Sequence, residues 1–268
     1  MNFQQKHIAD YGILRDYCGA GLKLTTIYNY RQRNDDNIHK ITAKGEAGNT
    51  EKLQNSLSRT KQRIFELALC NPWEWFVTLT LSPEKYNRQD LEKFRKDLSQ
   101  FIRDYRKKTG YQVKYLLIPE HHEDGCWHMH GFFLGLPVEE LHPFSLEEHL
   151  PYRILGRLAK GMQVYTWKPY ANKFGFSDFE AIVNHEATSR YITKYITKES
   201  MHTITELNSH SFFASKGLQS AVVVCKDILN GQLLEPDYQN DYLATKWFDN
   251  KDFEVAFSYF EELEGILI

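Results

Sequence analysis

The sequence predicts an α+β protein, a central antiparallel sheet with helices packed on it. Three observations predict it. WEWFVTLTL (73–81) alternates at a strand's period of two, with Phe76, Thr78 and Thr80 on one face and Val77, Leu79 and Leu81 on the other. NRQDLEKFRKDLSQFIRDYRKK (87–108) spaces Leu91, Phe94, Leu98, Phe101, Ile102 and Tyr105 as a helix does. YQVKYLLIPE (111–120) and WHMHGFFL (127–134) read as two more strands, joined by a turn at HEDG (122–125).

The other elements follow in chain order. LSRTKQRIFELALC (57–70) reads as a helix that ends at Asn71-Pro72. Before it, RQRNDDN (31–37) and AKGEAGNT (43–50) are polar and loop-like. Arg31, Arg33, Lys40, Lys44, Arg59, Lys61 and Arg63 form a solvated surface or touch nucleic acid. Residues 139–160 are helical in part, and GMQVYTWKPY (161–170) is a further strand. FEAIVNHEATSRYITKYITKES (179–200) follows as a helix, with three turns available from Thr188 to Lys198. AVVVCKDIL (221–229) is a strand or a short helix, and FEVAFSYFEELEGILI (253–268) an acidic amphipathic helix. The expected division is an N-terminal extension, partly helical (1–72), a core (73–200), and an acidic C-terminal extension packing on that core (201–268).

Hydrophobic content of 42% in 268 residues is enough for a buried core. Four scattered cysteines, Cys18, Cys70, Cys126 and Cys225, make no disulfide framework, which favours a reducing compartment. The N-terminus is polar and no apolar run approaches the length of a membrane span, so neither a signal peptide nor membrane association is expected. The net charge of −2 is unevenly spread. Residues 1–200 hold 29 Lys and Arg against 24 Asp and Glu, a net of +5, and residues 201–268 hold 4 against 11, a net of −7. A mildly basic body with an acidic tail argues against tight non-specific DNA binding, but local phosphate contacts remain open to it.

Two short motifs carry the chemistry. On a strand, His128 and His130 share one face and Met129 turns to the other. Two neutral imidazoles side by side can bind a divalent metal. The hairpin can bring Glu120 beside them as third ligand, and His122, of the same parity, competes for that place. Two histidines and a carboxylate suit Mn²⁺ or Mg²⁺ with positions left for substrate oxygens. In RYITKYITKE (190–199), Tyr191 and Tyr195 are one helical turn apart, and Lys194 and Lys198 each follow a tyrosine by three. The plain alternatives are a structural HxH pair and an amphipathic helix with tyrosines packed and lysines in water. Trp73, Trp75, Trp127 and Trp167 either stack on unpaired bases or, the better expectation, pack in the core.

The order FVTLTL, then an acid followed by HMH, then YITKYITK resembles the HUH endonucleases, and most of all the two-tyrosine rolling-circle replication initiators (Rep) of small single-stranded-DNA phages and plasmids. ASKGLQ (214–219) is a weaker match to the segment that follows the tyrosine helix in such initiators. The resemblance covers about residues 73–200. It implies a ferredoxin- or RRM-like sheet, with His128, His130 and Glu120 as metal ligands and Tyr191 and Tyr195 as nucleophiles. It implies metal-dependent, site-specific nicking and rejoining of single-stranded or hairpin origin DNA through a covalent 5′-phosphotyrosine. Lys194 and Lys198 would add charge for phosphate or phenolate. The expected cofactor is Mg²⁺ or Mn²⁺, and the expected setting the cytoplasm of a bacterial host cell. With no GxxxxGK[ST] phosphate loop, unwinding is expected from supercoiling or a separate helicase, and synthesis from a host DNA polymerase. A relaxase or single-strand DNA transposase would use the same site. A non-nuclease two-histidine metal enzyme is a further class, but it leaves YxxKYxxK idle. A DNA-binding module with a dead site would retain these residue types to no purpose.

Overall fold

The structure, a computed structural model, describes residues 9–30, 50–122, 124–195 and 211–260. Its strands are β1 (Ala9–Asp16), β2 (Leu22–Tyr30), β3 (Trp75–Thr80), β4 (Lys114–His121), β5 (Trp127–Leu134), β6 (His142–Pro143), β7 (Val164–Thr166), β8 (Ser177–Ala181), β9 (Phe213–Ala214), β10 (Val222–Ile228), β11 (Tyr238–Gln239) and β12 (Leu243–Phe248). Its helices are α1 (Thr50–Leu69), α2 (Leu91–Thr109), α3 (Tyr152–Leu158), α4 (Lys168–Lys173), α5 (His185–Ile192) and α6 (Phe253–Phe257). Every strand pair is antiparallel, and the α+β class is as the sequence predicts. Among the described residues no helix is long and apolar enough to cross a membrane.

The chain forms two compact units. One takes Met1–Thr42 with Gln219–Ile268, and its five strands run β10-β1-β2-β12-β11. Its core holds Leu14, Leu22, Leu24, Ala244, Phe248 and Phe260. The other unit is the continuous stretch Ala43–Leu218, with seven strands in the order β6-β7-β8-β3-β5-β4-β9. Strand pairing therefore draws the boundaries elsewhere than at 72/73 and 200/201. Residues 9–30 and 222–248 share a sheet, and α1 packs with the central unit. Segment 221–229 is a strand, and the C-terminal helix is described only as α6, since residues 261–268 lie outside the described ones. The polar stretches at 31–37 and 43–49 lie outside them too.

In the seven-stranded sheet β5 is central, between β3 and β4. Gly131 permits this, because a Cβ there would run into the Leu116 carbonyl oxygen on β4. Val77, Leu79, Met129 and Phe133 point to one face and meet Leu91, Phe94, Leu98 and Ile102 of α2. That helix is set by its ends. Asp90 accepts from the Lys93 N–H at the start, and Gly110 closes the last turn at φ 81°. On the opposite face Phe132, Leu116 and Ile118 meet Leu57, Ile64, Leu67 and Ala68 of α1 and Ile192 of α5. Trp73, Trp75, Trp127 and Trp167 are all buried, as core packing predicts.

One element corrects the sequence reading. Residues 179–181, expected at the start of the tyrosine helix, belong to β8, which pairs with β3 inside the sheet. The helix begins only at His185, where the Asn184 side chain accepts from the Ala187 N–H. It ends at Ile192 and passes into a 3-10 turn at Thr193–Tyr195. The described helix is thus shorter than three turns from Thr188, and residues 196–210 lie outside the described ones.

Candidate active site

β4 and β5 form the expected hairpin. The His122 N–H donates to the Cys126 carbonyl and the Gly125 N–H to that of His122, with Gly125 in the left-handed region at φ 78°. The register sets Glu120 opposite His128 and Ile118 opposite His130. Across β3, Thr80 faces His128 and Thr78 faces His130. Directly facing residues share a face, so both histidines, both threonines and Glu120 gather on the side covered by α1 and α5.

Hydrogen bonds orient the rings. His130 Nε2 lies 2.7 Å from Glu120 Oε2, and its Nδ1 lies 3.3 Å from Thr78 Oγ1. His128 Nδ1 lies 3.0 Å from Thr80 Oγ1. His122 Nε2 stands 3.4 Å from the same Glu120 oxygen, and its ring lies against that of His128 at 4.1 Å between centroids. Glu120, His122, His128 and His130 therefore form one cluster. Either candidate for third ligand is within it, and Glu120 makes the shorter contact with His130.

Electrostatics fit a cation. The hydrogen bond from His130 holds the Glu120 carboxyl below the usual range, against the effect of burial, and the charges of His130, His122 and His128 add to it. Burial, helped by His122, His130 and Arg88, pushes His128 down to about 4, so its imidazole is neutral near pH 7. Among the described residues no three His, Cys, Asp or Glu side chains stand ready at a metal's spacing, because Glu120 and His130 bond each other instead. The donor set is nonetheless that of a divalent-ion site: a carboxylate, imidazole nitrogens, and ring orientations fixed from behind by Thr78 and Thr80.

The tyrosine motif is described in part. Tyr191, 43% exposed, packs edge-on against Phe76 at 5.8 Å between centroids. Phe76 lies two residues before Thr78 on β3, so α5 carries Tyr191 over the histidine-bearing face. Lys194 Nζ sits 3.4 Å from the centroid of the Tyr191 ring. Tyr195 closes the 3-10 turn; its side chain and all of Lys198 lie outside the described residues.

Sequence reasoning did not assign the supporting residues. Thr78 and Thr80 have the parity of a histidine-facing pair, a signal legible once β3 is set beside β5. Arg88 has no such signal. It reaches the site because its carbonyl accepts from the Trp127 N–H at 2.9 Å, and it pairs with Asp124 at 3.3 Å. Asp178 and Glu180 on β8 are bound by Arg153 and Arg157 of α3.

Residues 74–200, just under half of the chain, match the family model for the replication-associated protein ORF2. No curated protein and no solved structure gives a match. The matched segment runs from β3 through the hairpin to the tyrosine motif, and it supports a replication-initiator role for this chain.

Proposed function

We propose that the chain is a rolling-circle replication initiator that nicks and rejoins single-stranded origin DNA through a covalent 5′-phosphotyrosine. The observation that carries this reading is the Glu120–His130–His128 cluster on the same sheet face that α5 covers with Tyr191. Glu120, His128 and His130 would hold one Mg²⁺ or Mn²⁺. When bound, such an ion polarises a phosphate and stabilises the charge that develops on it during attack.

The chain's own residues supply the rest. A phenol with an ordinary pKa of about 10 is a weak nucleophile near pH 7. The Lys194 ammonium on the Tyr191 ring lowers the cost of its phenolate. The Tyr191 oxygen attacks phosphorus and forms the phosphotyrosine bond; the 3′ oxygen leaves, takes a proton and becomes a free hydroxyl that can prime synthesis. The phosphodiester's energy is kept in the new ester, so rejoining needs no ATP. Tyr195, with Lys198, would act in turn with Tyr191, cleaving the regenerated origin. A pre-exposed site, single-stranded or in a hairpin, suits an in-line attack by a side chain on a helix. A separate helicase and a host polymerase would complete the cycle.

The test is incubation with the origin strand and Mn²⁺, followed by denaturing electrophoresis for a covalent adduct. With both tyrosines active, Tyr191→Phe and Tyr195→Phe each still form adduct and the double variant forms none. An adduct surviving in the double variant, or cleavage indifferent to Mn²⁺, overturns the reading.

A further inference from the structure

The line of side chains that starts at His130 does not stop at Thr78. In the β3–β8 pair Thr78 stands opposite Asp178, so His130, Thr78 and Asp178 form one row across three strands on one face. Facing residues in such pairs have Cβ atoms about 4.5–5.5 Å apart. The Asp178 side chain is 1% exposed, and its Oδ2 accepts from Arg153 of α3 at 2.6 Å. Its Oδ1 is buried with no hydrogen-bond partner among the described residues. An unpaired buried carboxylate oxygen is costly, and such an atom in a folded protein calls for an explanation.

Proton bookkeeping at His130 supplies one. Glu120 is held as a carboxylate, so neutral His130 donates to it from Nε2 and accepts the Thr78 hydroxyl hydrogen at Nδ1. For Nε2 to face a cation, the proton must leave Nε2 and be regained at Nδ1, the ring staying neutral. Nδ1–H then donates to Thr78 Oγ1, and the hydroxyl hydrogen needs another acceptor. Asp178 Oδ1 is the partnerless acceptor directly across the strand pair. We propose that Asp178 is a positioning residue for the cation site: it takes the Thr78 hydroxyl when His130 presents Nε2, while Arg153 anchors it from α3. This rests on the metal-site reading above. Burial raises the Asp178 carboxyl, while Arg153, Arg157 and His130 pull it down; the last of these places its charge near the site.

Mn²⁺ affinity, read by electron paramagnetic resonance in the absence of DNA, tests this apart from cleavage. The wild type should bind one ion. Thr78→Val and Asp178→Asn should each weaken binding roughly tenfold, within the range for ligands' hydrogen-bond partners. The double variant should bind no worse than the weaker single one, because both changes break one chain. Thr78→Ser, which keeps the hydroxyl, should bind as wild type does. Unchanged affinity in Asp178→Asn, or losses that multiply, overturns the proposal. A wild type that binds no Mn²⁺ defeats the metal-site reading itself. If Asp178→Asn does not fold by circular dichroism, Arg153→Gln reads the chain from its far end. Its loss must vanish in the Thr78→Val background, and unchanged affinity there also overturns the proposal.

Discussion

The two faces of the seven-stranded sheet come from alternate residues of the same strands and differ completely in chemistry. Towards α2 stand Val77, Leu79, Met129 and Phe133, all fully buried among apolar neighbours. Towards α1 and α5, the apolar row of Phe76, Phe132 and Leu116 gives way along the strands to Thr78, His130 and Asp178, then to Thr80, His128 and Glu120. A polar cluster on a covered sheet is tolerated only if its members bond each other. Here Thr78, Thr80 and Glu120 bond the histidines. The contrast teaches that period-two alternation lets one strand hold the fold on one side and chemistry on the other.

Substitution at neighbouring positions of β5 should separate the two loads. His128→Ala and His130→Ala should each abolish adduct formation while the circular dichroism spectrum stays that of the wild type; cutting at the normal rate would end the metal assignment. Phe133→Ala, on the other face, should cost about 3–5 kcal/mol in urea unfolding through the cavity it leaves under α2. A loss there no larger than that in His130→Ala would show that the faces do not divide the work. Gly131→Ala sits where the two faces meet, and its methyl group meets the β4 backbone. It should cost on the order of 1–3 kcal/mol as an overpacked position. It should weaken Mn²⁺ binding as well, because displacing β4 moves Glu120 from His130; intact binding in a destabilised variant would show that the hairpin adjusts independently.

The smallest effect is on pH dependence in metal-free protein. His128 is held below its ordinary 6.5, at about 4, so the folded state favours its neutral form. Its contribution to stability is therefore present above pH 6.5 and is lost as pH falls towards 4. Glu120, also lowered, contributes above its ordinary 4.5 and loses that below it. The melting midpoint should fall as pH drops from 6.5 to 4, and His128→Asn should flatten the upper part of that fall. An identical slope in the variant would assign the effect to other groups.

Legibility in the sequence followed locality. β3, α2 and the β4–β5 hairpin are read from alternation, helical spacing and a turn, signals held within a few residues of each other. The histidine–glutamate grouping was legible because the turn is short enough to fix register. β8 was not. SDFEA is five residues with two acids on the buried face, a pattern that disfavours a strand reading. Its acids are tolerated because Arg153 and Arg157 arrive from α3, a tertiary fact. The five-stranded sheet was illegible for the same reason, since β1 and β2 find β10 and β12 only across the whole central unit.

That last arrangement has a consequence for a chain made from one end. When β1 and β2 leave the ribosome, the strands that flank them do not yet exist. The intervening stretch of roughly 190 residues takes roughly 10–40 s to synthesise at about 5–20 residues per second. Throughout that time the nascent hairpin has two open edges and no completed core, while the central unit, contiguous in the chain, is able to fold. The first segment translated is thus among the last to reach its native pairing, and a holding chaperone has its natural client there rather than in the central unit.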